Sequence, residues 1–245
     1  MQWSDEGIIL SVKAHGETAA VAEIFTRAHG RHLGLVHGGR SRKLRPILQT
    51  GNHVDATWKA RLAEHLGHVT VELRKGYAAQ AMDDVLALAG LSSLCGLSRL
   101  LPERDPHPAL FEVALFVLGY LDEPDVWPAL MVRWELALLD ELGFGLDLSA
   151  CAATGANDNL IYVSPKSGRA VSASAGADYK DRLLRLPSFL CKGRQGAPTL
   201  EDIVDGLTLT GHFLETRVLI PREAQMPAAR RRFQDLMQRR AVKAA

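Results

Sequence analysis

Between Trp3 and Lys75 the apolar positions come in short runs broken by turn residues. Residues 7–12 (GIILSV), 19–27 (AAVAEIFTR) and 32–37 (HLGLVH) are β-branched or apolar, and Gly16 and Gly30 separate them. Residues 52–59 (NHVDATWK) and 67–73 (GHVTVEL) alternate, with Val69, Val71 and Leu73 on one face. This pattern predicts five strands, with an irregular connection over 38–51 between the third and fourth. That suits a small closed barrel of the oligonucleotide-binding type, and an SH3-like barrel fits the strand count nearly as well.

After Tyr77 the period becomes helical. Residues 78–89, 91–101, 108–121 and 126–142 read as amphipathic or buried helices, bounded by Pro102, Pro106, Pro124 and the Gly143 to Gly145 turn. Trp127, Leu130, Met131, Trp134, Leu138 and Leu142 lie at helical spacing and read as core. Residues 149–176 lose the pattern, apart from an apolar island at 160–163, and predict an irregular knuckle or loop insertion. Helices resume over 178–186, 200–219 and 227–240, the last opening on a proline suited to a first turn. The expected fold class is therefore α+β with two domains: a five-stranded barrel over 1–79 and an all-α domain over 80–245 carrying the insertion.

Composition narrows the function classes. The chain has 245 residues, 47% of them hydrophobic, enough for a real core and too many for disorder throughout. The apolar stretch 109–121 is too short to span a bilayer and contains Glu112, so it reads as a buried helix. Asp5 and Glu6 stand where a secretory leader needs cations, which places the protein in the cytosol. Cys95, Cys151 and Cys191 are an odd, widely spaced set and make no disulfide framework. The net charge of +1 hides an asymmetry: Lys+Arg against Asp+Glu is 11 to 7 over 1–80, 3 to 13 over 81–160 and 15 to 8 over 161–245.

The strongest local chemistry is the run Gly38-Gly39-Arg40-Ser41-Arg42-Lys43-Leu44-Arg45, followed by Lys59 and Arg61. Clustered cations beside glycines suit phosphates, whose binding is led by counterion release and tolerates any sequence. Set between strands of an oligonucleotide-binding barrel, they point to single-stranded and double-stranded DNA, with Arg27, Arg31, Arg74 and Lys75 as extensions of the surface. Trp3, Phe25, Trp58 and Tyr77 are the aromatic candidates for base stacking in this region; Trp58 and Phe25 read as core, so contacts should be made to the backbone of the nucleic acid. The competing reading is a protein-interaction scaffold whose basic loop is merely solvated. Seven of the nine histidines precede residue 80, but the pairs His29/His32 and His65/His68 have no cysteine near them, and no metal site is expected there.

Enzyme signatures are missing. There is no P-loop, nucleophile elbow, H-E-x-x-H or dinucleotide fingerprint, and the acidic pairs Asp83/Asp84 and Asp140/Glu141 diverge on a helix, so neither catalysis nor a cofactor is expected. Near the C-terminus, Arg230, Arg231, Arg232, Arg239 and Arg240 make the last helix basic. The first three sit near its start, where cations are disfavoured, so a contact with an acidic partner is expected there.

Over nearly the whole chain the layout resembles the RecO family of bacterial recombination mediators. The resemblance is carried by residues 3–10 (WSDEGIIL), Gly16-Glu17, the stretch 30–39 leading into the basic loop, and residues 59–61. Farther on come Trp134-Glu135, residues 138–143 (LLDELG), Cys151 and residues 162–168 (YVSPKSG). It implies an oligonucleotide-binding barrel, a helical C-terminal domain, DNA binding and strand annealing. It also implies work on the nucleoid with RecR and the C-terminal tail of the single-strand-binding protein SSB in the RecF pathway. Many members hold a four-cysteine zinc knuckle. Here Cys151 keeps the first position, Thr154 stands at the second, and Ser172 and Ala175 occupy the region of the second pair, so a metal-free loop held by packing is expected.

Overall fold

A computed structural model describes residues 1–62, 64–191 and 197–244, which form two compact units, Met1–Pro124 and Asp125–Ala245. In the first, β1 (Gln2–His15), β2 (Ala19–Thr26), β3 (Gly30–Val36), β4 (His53–Lys59) and β5 (His68–Lys75) close a barrel in the order β1-β2-β3-β5-β4. The antiparallel β1/β2 and β2/β3 pairs follow from tight connections, β4 pairs antiparallel with both β1 and β5, and β3 meets β5 in parallel at Leu35 and His68. This is the oligonucleotide-binding arrangement rather than the SH3-like one.

β1 serves both sides of the closure. Gly7 and Ile8 pair with Thr26 and Phe25 on one flank and with Val54 and His53 on the other, and a bulge follows between Ile9 and Ser11. A Cβ on Gly7 would lie 2.5 Å from the Ile24 methyl, so the glycine is what lets the strands cross this closely. The barrel core is Ile9, Ile24, Val36, Val54, Trp58, Val69 and Val71 with their neighbours, in the alternation read from the sequence. Each such aliphatic side chain contributes about 1.5–3 kcal/mol on burial.

The opposite faces of β1 and β2 are buried at their centre, at Ile8, Leu10 and Phe25. Helices α1 (Tyr77–Ala81), α2 (Val85–Ser98) and α3 (Pro108–Gly119) belong to the same compact unit. Phe111 of α3 meets Phe25 edge-on at 5.4 Å, and the Cys95 thiol of α2 lies 3.7 Å from the Ile9 carbonyl. The change of period near residue 80 therefore marks the end of the barrel, while the unit continues to Pro124 because these helices cover an apolar strand face. The helix break falls at Asp84, not at Gly90: the Asp84 carboxylate accepts the Leu86 and Ala87 N–H groups and caps α2, and Gly90 lies inside that helix.

The second unit is mostly helical but not all-α. Helix α4 (Trp127–Glu141) leads to a three-stranded sheet of β6 (Leu160–Val163), β7 (Ala170–Ser172) and β8 (Leu184–Arg185), ordered β7-β6-β8. The apolar island at 160–163 is too short to be stable alone and is buried by two antiparallel partners. The short α5 (Ala173–Gly176) and a 3-10 turn over Ala177–Arg182 replace the helix expected over 178–186. Helix α6 (Leu200–Phe213) opens on a Thr199/Asp202 capping box and widens into a π turn over Leu214–Leu219, and α7 (Ala228–Ala244) ends the unit. Among the described residues no helix is long and apolar enough to cross a membrane.

Candidate nucleic-acid interface

The basic connection between β3 and β4 is an ordered, amphipathic turn. Gly38 has φ of +63°, which starts the bend, and a Cβ on Gly39 would lie 2.8 Å from that of Ala20. The backbone then coils, with Arg45 N–H donating to Ser41 O at 3.0 Å and Leu48 N–H to Leu44 O at 2.8 Å. Leu48 is buried, and Leu44 and Ile47 pack partly against the barrel core; this i, i+3, i+4 stripe turns inward. Arg42, Lys43 and Arg45 occupy the intervening positions and are exposed, and none pairs with a carboxylate among the described residues.

Arg40 has a different task. Its guanidinium donates to the Gly16 carbonyl at 3.0 Å and the Glu17 carbonyl at 2.9 Å, and its N–H donates to Thr18 O at 3.0 Å. It therefore fastens the basic turn to the β1–β2 hairpin and offers phosphate only what these contacts leave.

Lys59, at the end of β4, is exposed and pairs in register with Gln2 and His68, and Arg61 follows it into solvent. His68 stacks on His37, with ring centroids 4.6 Å apart and planes 22° apart, and both rings are exposed. These two rings extend the aromatic candidates read from the sequence. Their signal was present: His37 directly follows the third strand and His68 opens the fifth, and only the barrel's β3-β5 neighbourhood makes them adjacent.

The other proposed extensions of this surface are tied into the unit. Arg31 is largely buried, bonds to Glu23, and donates to Leu101 O at 2.9 Å. Burial alone would raise the Glu23 carboxyl, but hydrogen bonds from Arg31 and Ser11 and the charges of Arg99 and Arg31 hold it below its ordinary value. Arg27 bridges Glu6 and Glu112, Arg74 bridges Glu6 at 2.6 Å and Asp55 at 2.8 Å, and the Lys75 ammonium lies 4.7 Å over the Tyr77 ring. Trp3 stacks between His29 and Trp58, at 4.2 Å and 5.7 Å, and His29 bonds Asp5 at 3.0 Å. Burial, then the Arg104 charge, pushes His32 down to about 4.

Helix α7 divides its cations. Arg230 is 1% exposed: its Nε and Nη2 donate to the two oxygens of the fully buried Glu135, and Nη2 also donates to Leu207 O at 2.7 Å. It is not available to an acidic partner, which corrects the expectation for that residue; its position on the stripe with Phe233 and Met237 turns it inward. Arg240 pairs with Asp125 at 2.6 Å, while Arg231, Arg232 and Arg239 are exposed.

The knuckle positions do converge. The Cys151 sulfur accepts the Ser172 N–H at 3.3 Å, and the Ser172 hydroxyl accepts the Ala175 N–H at 3.4 Å. Burial pushes the Cys151 thiol up, but hydrogen bonds from Ser172 and Thr154 outweigh it and bring the group to about 6. Among the described residues no three His, Cys, Asp or Glu side chains gather as metal ligands.

Two family models cover most of the chain: recombination protein O N terminal over residues 1–77 and recombination protein O C terminal over residues 82–225. The chain is 58% identical to the DNA repair protein RecO of Methylorubrum populi, over 95% of this chain and 97% of that protein. It is 55% identical to that of Beijerinckia indica over 95% and 94%, and 54% identical to that of Rhodospirillum centenum over 96% and 94%.

Proposed function

The chain belongs to the RecO family of DNA repair proteins, and on that premise we propose that it binds single-stranded and double-stranded DNA and anneals complementary strands. The observation that carries this reading is the outward set Arg42, Lys43 and Arg45 on an ordered turn of an oligonucleotide-binding barrel, with Lys59 and Arg61 also exposed on that unit. Phosphate repulsion opposes the approach of two strands. Cations without carboxylate partners offset it at the least cost, since no internal ion pair has to break first, and base pairing then supplies the sequence information.

In this reading the protein works without catalysis or cofactor, in the cytosol and on the nucleoid. Its proposed partners are RecR and SSB of the RecF pathway, and Arg231, Arg232 and Arg239 remain exposed on α7 for an acidic segment. The test is the triple substitution Arg42→Ala, Lys43→Ala and Arg45→Ala, which leaves Arg40 to hold the turn. Three lost phosphate contacts should lower the slope of log affinity against log salt by about 2 to 3, with annealing of naked and SSB-coated strands falling in parallel. A folded variant with the wild-type slope would remove the turn from the DNA site.

A further inference from the structure

The stacked pair His37 and His68 lies where β3 and β5 close the barrel, and both rings are exposed. Stacking uses one face of each ring, so π-surface is left in solvent. The loop that delivers His68 is fastened from beneath. Gly67 has φ of +66°, and a Cβ there would lie 2.5 Å from the Trp58 indole, so only glycine lets the chain pass over this ring. The indole Nε1 donates to the Leu66 carbonyl at 3.1 Å and the Leu33 carbonyl at 3.3 Å, and Leu35 N–H donates to Gly67 O at 3.0 Å. These bonds tie the start of β5 to the end of β3 and fix the two rings against each other.

The surroundings are cationic. His37 leads directly into the turn that carries Arg42, Lys43 and Arg45, and His68 is the register partner of Lys59, two residues before Arg61. Neither histidine forms an ion pair with a carboxylate among the described residues. The stack of His29, Trp3 and Trp58 differs on both counts: Trp3 has a ring on either side, and His29 bonds the Asp5 carboxylate, which repels phosphate.

We propose that the His37–His68 pair is a stacking platform for one unpaired nucleobase of single-stranded DNA, with Lys59 and Arg61 on the flanking phosphates. The platform rests on the DNA reading above and deepens it. A base inside a duplex has both faces covered by its neighbours and cannot use the rings, so the pair adds affinity for single strands alone. Stacking takes the face of the base and leaves its hydrogen-bonding edge open. A base held here is therefore presented to the complementary strand, which serves annealing.

The experiment measures anisotropy of the full chain with three fluorescein-labelled DNAs of equal length: an oligo-dA strand, a strand of abasic tetrahydrofuran units, and a duplex. Wild type should bind oligo-dA more tightly than the abasic strand. His37→Ala with His68→Ala should lower oligo-dA affinity about five- to 100-fold and leave abasic and duplex affinities within about twofold, with the salt slope unchanged because no phosphate contact is lost. His37→Phe with His68→Phe should restore the preference for oligo-dA over the abasic strand. His37→Lys with His68→Lys should raise binding to all three DNAs without restoring that preference. Wild-type oligo-dA affinity in the double alanine variant would overturn the platform and leave the DNA reading standing. So would an equal loss on all three DNAs, or a preference restored by lysine and not by phenylalanine, either of which would make the pair a charge site. A wild-type protein that binds none of the three would sink the DNA reading and the platform with it.

Discussion

The two densest runs of cations in the chain, residues 40–45 and 230–232, look alike as sequence and differ as structure. In the barrel unit the apolar stripe of Leu44, Ile47 and Leu48 turns inward and leaves Arg42, Lys43 and Arg45 in water. In the second unit Arg230 itself falls on the stripe of Phe233 and Met237 and is consumed by Glu135. The phase of a cation against its apolar neighbours, more than the local density of charge, decides whether it can meet a ligand.

The sharpest way to break this contrast is Arg230→Ala. It strands Glu135 in a dry site and should cost about 3–5 kcal/mol in urea unfolding, with the DNA salt slope unmoved. A loss under about 1 kcal/mol would mean that Arg230 is not the partner that holds this carboxylate. Arg31→Ala tests the same idea inside the barrel unit. Because Arg99 still faces Glu23 at 2.7 Å, the expected loss is smaller, about 2–3 kcal/mol, again with no change in salt slope. A flatter slope would return Arg31 to the DNA surface.

Inward placement of a histidine gives a pH signature. His32 titrates at about 4, below its ordinary 6.5, so the folded state binds fewer protons than the unfolded one between these values. Its contribution to stability is complete above pH 6.5 and lost as pH falls toward 4, by about 2 kcal/mol between pH 6.5 and 5. His53, also lowered by burial, adds in the same direction, so His32→Gln should shrink the pH dependence without abolishing it. An identical pH dependence in the variant would exclude His32 as a source. The smallest stability change belongs to the triple alanine variant of the basic turn, which should stay within about 0.5 kcal/mol of wild type while its DNA slope falls most.

Much of the barrel was legible in sequence because its strands alternate cleanly and their turns carry glycine. The knuckle was only half legible: the spacing around Cys151 could be read, but the strands flanking residues 160–163 have too few residues to show a period. Asp84 gave a visible cap signal that the continuous apolar run to either side of Gly90 masked. The basic turn was legible as charge. Which cations of the barrel unit are free was not, since Arg40 of the turn and Arg31, Arg27 and Arg74 outside it are engaged by groups distant in sequence that only folding brings near. The His37–His68 stack was hidden for the same reason.

The double duty of β1 has a consequence in time. Its first half finds its partner only when β4 exists, since Trp3 pairs with Trp58, while its second half pairs with the nearby β2. On a chain leaving the ribosome, β1, β2 and β3 can assemble as a local meander first, with the flanks of β1 and β3 still open. Those flanks are sealed when β4 and β5 emerge, so the interval spent synthesising the basic turn is also the interval in which the newborn sheet is most open to pairing with a neighbour.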